Sequence, residues 1–90
     1  MSKQKITREA LFKIFKDTNS KWEGDNALQG LNILYKYADH DVLLGAEHEL
    51  IYSIGINEAI RNGLTKKDAG RLAELNWSIG DDNDYFHCFV

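Results

Sequence analysis

The side chains best suited to chemistry fall in three short stretches: Asp39-His40-Asp41, Glu47-His48-Glu49 and His87-Cys88. A Cys beside a His is the pairing of a thiol nucleophile with its base, and Cys, His and carboxylates together are zinc donors. The spacing argues against both. The last residues, Tyr85 to Val90, alternate as a β-strand does, so His87 and Cys88 point to opposite faces and cannot meet at one atom or one ion. Cys88 between Phe86 and Phe89 reads as a small buried hydrophobe. Asp39 with Asp41, or Glu47 with Glu49, could share a proton only if one carboxylate were buried beside the other, and nothing around them forces that. There is no Cys-x-x-Cys, no glycine-rich phosphate loop, no Gly-x-Ser-x-Gly and no His-Glu-x-x-His. No catalytic residue, metal ligand or cofactor is predicted, and the chain is read as a non-enzyme. A small divalent-metal protein is kept as a secondary alternative.

The elements that would position these groups follow from a change of period. Up to Ala38 the apolar residues recur every three or four positions; from Glu47 to Ile54 they alternate; after Thr65 the helical period returns. Thr7 is placed to cap a first helix from Arg8, with Ile6 and Leu11 as its hydrophobic staple, and Asp17 to Ser20 end it. Trp22, in the connection, is expected to lid the core. A second helix starts after Gly24-Asp25-Asn26, where Asp25 or Asn26 can cap, with Ala27, Leu28, Leu31, Leu34, Tyr35 and Ala38 on its apolar face. Gly30 inside it points to close packing against a neighbour. A strand is expected from Glu47 to Ile54, then a short helical turn from Asn57 closed by Gly63 in the left-handed region. Thr65-Lys66-Lys67-Asp68 opens a third helix running to Asn76, with Leu64 and Ala69 as the staple. Trp77 to Ile79 and Tyr85 to Val90 form a C-terminal hairpin. The expectation is one α+β domain over residues 1–90: three main helices on one side of a small antiparallel sheet of about three strands.

Composition bounds the partners. The chain is 90 residues long and 43% hydrophobic, with one cysteine. A single core is feasible at that size, and no internal disulfide is possible. No apolar run approaches a membrane span and none follows the N-terminal charges as a leader would, which together point to a cytoplasmic chain. Net charge is −3, unevenly spread. Residues 1–21 carry six basic and two acidic side chains, a balance of +4, and residues 22–90 carry five and twelve, a balance of −7.

Gly24-Asp25-Asn26-Ala27-Leu28-Gln29-Gly30-Leu31, Glu47-His48-Glu49-Leu50-Ile51-Tyr52-Ser53, Leu75-Asn76-Trp77 and Cys88-Phe89-Val90 resemble a family of small bacterial and phage-borne proteins. The resemblance runs from Trp22 onward. That family has no assigned biochemistry, so it carries over no site residues. It implies a mobile-element or accessory context.

Two binding readings remain. In the first, the aromatics exceed what so small a core encloses, and carboxylates rim them: Glu47, Glu49, Tyr52, Trp77, Asp81, Asp82 and Asp84 would contact a protein partner. The partner could be another protein or a second copy of the chain. The acidic balance fits an accessory protein that inhibits host defence or nucleic-acid-handling machinery by occupying a basic groove. In the second, the order from residue 26 is that of a winged-helix domain. The helix Thr65–Asn76 would enter the major groove, with Arg61, Lys66, Lys67 and Arg71 as contacts. Phosphate contacts dominate such affinity, so a wing tip bearing Asp81, Asp82 and Asp84 opposes it.

Overall fold

A computed structural model of the chain describes residues 6–47, 50–79 and 85–89. The order is α1 (Arg8–Asp17), α2 (Asn26–Tyr35), β1 (Gly45–Glu47), β2 (Leu50–Gly55), α3 (Ile56–Arg61), α4 (Lys66–Glu74), β3 (Trp77–Ile79) and β4 (Tyr85–Phe89). The strands form one antiparallel sheet in the order β1-β2-β4-β3. The class is α+β, with four strands where about three were expected. The extra one is β1, where Gly45 and Ala46 precede the strand expected from Glu47. Glu47 pairs with Leu50 across an antiparallel ladder, so it belongs to β1 and the rest of the expected strand to β2.

Two of the helices begin as their sequences dictate. The Thr7 hydroxyl accepts from the Ala10 amide at 3.1 Å, and Ile6 and Leu11 are both buried. The Thr65 hydroxyl accepts from the Asp68 amide at 3.1 Å, and Leu64 and Ala69 are both buried. Each bond satisfies an amide that a helix start leaves without an intrahelical acceptor. Asp68 does not reach back to complete a capping box. Its carboxylate is used elsewhere, accepting from Lys36 Nζ at 2.8 Å and from the Tyr37 hydroxyl. At the end of α3, Gly63 takes a φ of +96°. Its amide donates to Ile60 O at 3.1 Å and that of Leu64 to Ala59 O at 2.9 Å, the paired bonds of a Schellman ending.

The start of α2 has another cause. Asp25 sits at the N-cap in the left-handed region with no side-chain cap. Of the two expected caps neither closes the helix start: Asn26 is its first residue, fully buried, and its side chain turns to other backbone. Its Nδ2 donates to Leu75 O at 2.7 Å and to Lys21 O at 3.0 Å, and its Oδ1 accepts from the Glu23 amide at 2.9 Å. One side chain thus satisfies three backbone groups from two distant parts of the chain. The buried seam of α2 is Asn26, Gly30 and Leu34, spaced by four. Gly30 belongs there because the Trp77 indole lies against it: a Cβ would stand 1.8 Å from Trp77 Nε1. That indole donates to Asn26 O at 3.0 Å.

The helices cover one face of the sheet. Phe86 and Cys88 of β4 are fully buried, whereas His87 between them is half-buried and Tyr85 is exposed. The core gathers Leu11, Leu34, Ile54, Ile56, Leu64, Leu72, Leu75, Trp77, Phe86 and Cys88. Phe15 tilts over Phe86 with ring centroids 6.0 Å apart. No helix among the described residues is long and apolar enough to cross a membrane.

Candidate interaction site

Of the residues expected to touch a protein partner, Tyr52 and Trp77 lie on opposite faces of the sheet, paired with His87 and Cys88 respectively. Tyr52 lies on the uncovered face of the sheet, opposite His87, with ring centroids 6.4 Å apart. Glu47 ends β1 near it in the ladder. Trp77 is a correction: it is 2% exposed, its ring seated on Gly30 and its indole N–H bonded to Asn26 O, so it is a core residue and not an anchor. Glu49, Asp81, Asp82 and Asp84 lie outside the described residues.

The structure does not bring the candidate nucleic-acid contacts together: Arg61 meets Asp39, beyond the end of α2, and Arg71 meets Glu23, before its start. Arg61 is held by Asp39 at 2.8 Å, and the same Asp39 accepts from Asn62 at 3.0 Å. The Arg61 and Asn62 hydrogen bonds hold the Asp39 carboxyl below its usual range. Arg71 grips both oxygens of Glu23 at 2.8 Å and adds Glu74 at 3.3 Å. Its hydrogen bond holds the Glu23 carboxyl low as well. Both guanidiniums are therefore engaged by carboxylates of the same chain, which weakens them as phosphate ligands. Lys66 and Lys67 stand exposed in the first turn of α4.

Among the described residues no three His, Cys, Asp or Glu side chains are placed to hold a metal ion. Cys88 is fully buried beneath the helices, and that burial pushes its thiol up, away from thiolate. His87 lies on the opposite face, as strand alternation requires.

Two features were missed by sequence reasoning. The first is an apolar surface around α2. Leu28 is 57% and Tyr35 70% exposed, seven residues apart and so nearly in line along the helix. Trp22, expected as a lid, is 66% exposed just before α2, and Leu43 and Leu44 are exposed after it. The helical period of α2 was legible, but it does not say which apolar side turns inward. Asn26 and Gly30 on the buried seam are the residues a hydrophobicity reading places outside.

The second is a cleft of about 430 Å³ between α1 and β3. Phe12, Phe15 and Lys16 form the helix wall, and Ser78 and Ile79 the strand wall. At its end Ser20 Oγ donates to Asn76 Oδ1 at 3.1 Å. No sequence signal marks it, because it arises where α1 meets the edge of the sheet.

Compared with family models, with curated proteins and with solved structures, the chain finds no match.

Proposed function

We propose that this chain is a non-enzymatic interaction protein that docks a protein partner on the outward side of α2. The observation that carries this reading is the exposure of Leu28 and Tyr35 on one side of that helix, with Trp22 exposed at its approach. Burying a large apolar side chain gains about 1.5–3 kcal/mol, and here that gain is not taken within the fold. Aromatic and leucine side chains standing in water near the paired charges Arg71 and Glu23 have the make-up of a contact surface with a polar rim. The test is capture from a bacterial lysate by the wild-type chain and by a Leu28→Glu/Tyr35→Glu variant with an unchanged circular dichroism spectrum. A stoichiometric partner retained by the first and lost by the second is the expected result. A partner retained equally by both defeats the reading. The narrower idea of an acidic inhibitor that imitates nucleic acid is weakened by the ion pairs that engage Glu23, Asp39, Asp68 and Glu74 within the chain.

A second reading is favoured by connectivity. Helix α2, strand β2, helices α3 and α4 and the β3–β4 pair, with β4 lying between β2 and β3, follow one another as in a winged-helix unit. On this reading α4 meets duplex DNA through Lys66 and Lys67. Binding would then weaken steeply with salt and vanish in a Lys66→Glu/Lys67→Glu variant, as measured by anisotropy of a labelled duplex. A duplex left unbound at low salt removes this alternative.

A further inference from the structure

We propose that the cleft between α1 and β3 takes an extended, acidic segment of a partner protein as an added strand along the open edge of β3. This shares with the α2 reading only the premise of a protein partner, and it uses a different surface, so either can fail alone.

The geometry runs as follows. Trp77 and Ile79 pair with the buried Cys88 and Phe86, and Ser78 pairs with His87 on the other face. A cleft that touches Trp77, Ser78 and Ile79 in succession therefore runs along the free edge of the strand. β3 ends the sheet order, and among the described residues no backbone hydrogen bond joins its outer edge to another segment. Such an edge presents alternate N–H and C=O groups to any extended chain laid beside it. Three residues of strand span about 10 Å, so the edge alone would hold a peptide weakly. The helix wall supplies the rest. Phe12 and Phe15 on that wall are half-buried and, with Ile79 opposite, give an apolar seat for a side chain of the added strand. Backbone pairing for affinity and a helix-walled pocket for selectivity together make a strand-addition site.

Charge selects the occupant. Lys16 stands on the helix wall and is exposed, with no carboxylate partner among the described residues. Lys13, one turn earlier, and Lys21, just beyond Ser20, are exposed too. They belong to the stretch with a balance of +4, in a chain that is otherwise acidic. An extended segment with carboxylates flanking one large apolar residue complements this wall, and a basic one is repelled by it.

The experiment is selection of a displayed library of random linear octapeptides on the intact chain, with anisotropy of a fluorescein-labelled copy of the most enriched peptide. Acidic peptides with a large apolar residue should be enriched. Binding should fall at least tenfold in Lys16→Glu, an exposed change that leaves the core untouched. Independently of any variant, N-methylation of one alternate set of peptide amides should abolish binding, while methylation of the other set is tolerated. Amide resonances of Ser78 and Ile79 should shift on titration. The proposal is overturned by enrichment of nothing or of basic peptides, by equal tolerance of both methylated sets, or by shifts confined to α2. It is equally overturned if the free chain already dimerises through β3, since the edge then belongs to a second copy.

Discussion

Gly30 in α2 and Gly70 in α4 each sit inside a helix, where glycine costs about 1 kcal/mol relative to alanine. At Gly30 the space for a Cβ is taken by the Trp77 indole, with Nε1 at 1.8 Å and Cε2 at 2.2 Å. At Gly70 nothing lies within 4 Å of where a Cβ would be. The first glycine lets a ring lie against helix backbone, which ties α2 to β3 and brings the indole N–H to Asn26 O. The second gains nothing from its own fold. The α2–β3 seam is thus built for packing, whereas the outer side of α4 gives up helical stability with no return within the described fold.

The contrast can be broken most severely at Gly30. Gly30→Ala should lose about 3 kcal/mol or more, because the ring it displaces is buried and hydrogen-bonded. Chemical denaturation measures this, and Trp77→Phe should lower the cost of the alanine in a double-mutant cycle. A Gly30→Ala protein as stable as wild type would dissolve the distinction. Next in size is Asn26→Ala, which strands Leu75 O, Lys21 O and the Glu23 amide. About 2–3 kcal/mol should be lost, and amide exchange should quicken first at the start of α2.

A smaller effect comes from Asp68, where α4 meets the end of α2. Burial pushes its carboxyl up, but the Lys36 and Tyr37 hydrogen bonds and nearby positive charge outweigh that and leave it lowered. A lowered carboxylate stabilises the fold above its unfolded pKa and is lost as pH falls through the folded one. Acid titration of the melting temperature should therefore show a decline below about pH 4, flattened in Asp68→Asn. The gentlest change has the opposite sign. Gly70→Ala should raise stability by about 0.5–1 kcal/mol. A loss there would mean that α4 has a hidden packing constraint after all.

Much of the architecture was legible because its signals are local. Thr7, Gly63 and Thr65 each act within a few residues of themselves, and each does in the fold what its type implies. Gly30 was legible as a close approach, though not which ring would make it. The start of α2 was not, since Asn26 works through backbone from residues 21, 23 and 75. The separate strand β1 escaped because its three residues, Gly45 to Glu47, are too few to show an alternation of their own. The candidate surfaces were read least well. Trp22 and Trp77 exchange their expected roles, because an aromatic residue type does not itself say whether water or protein surrounds it.

That exchange equips the chain with two optical reporters in opposite settings. Iodide should quench Trp22 and spare Trp77, whose emission should shift to the red when the folded interior is lost. Light from Trp22, out in solvent, is free to signal a partner arriving at α2, so docking there and unfolding can be followed separately without attaching a dye.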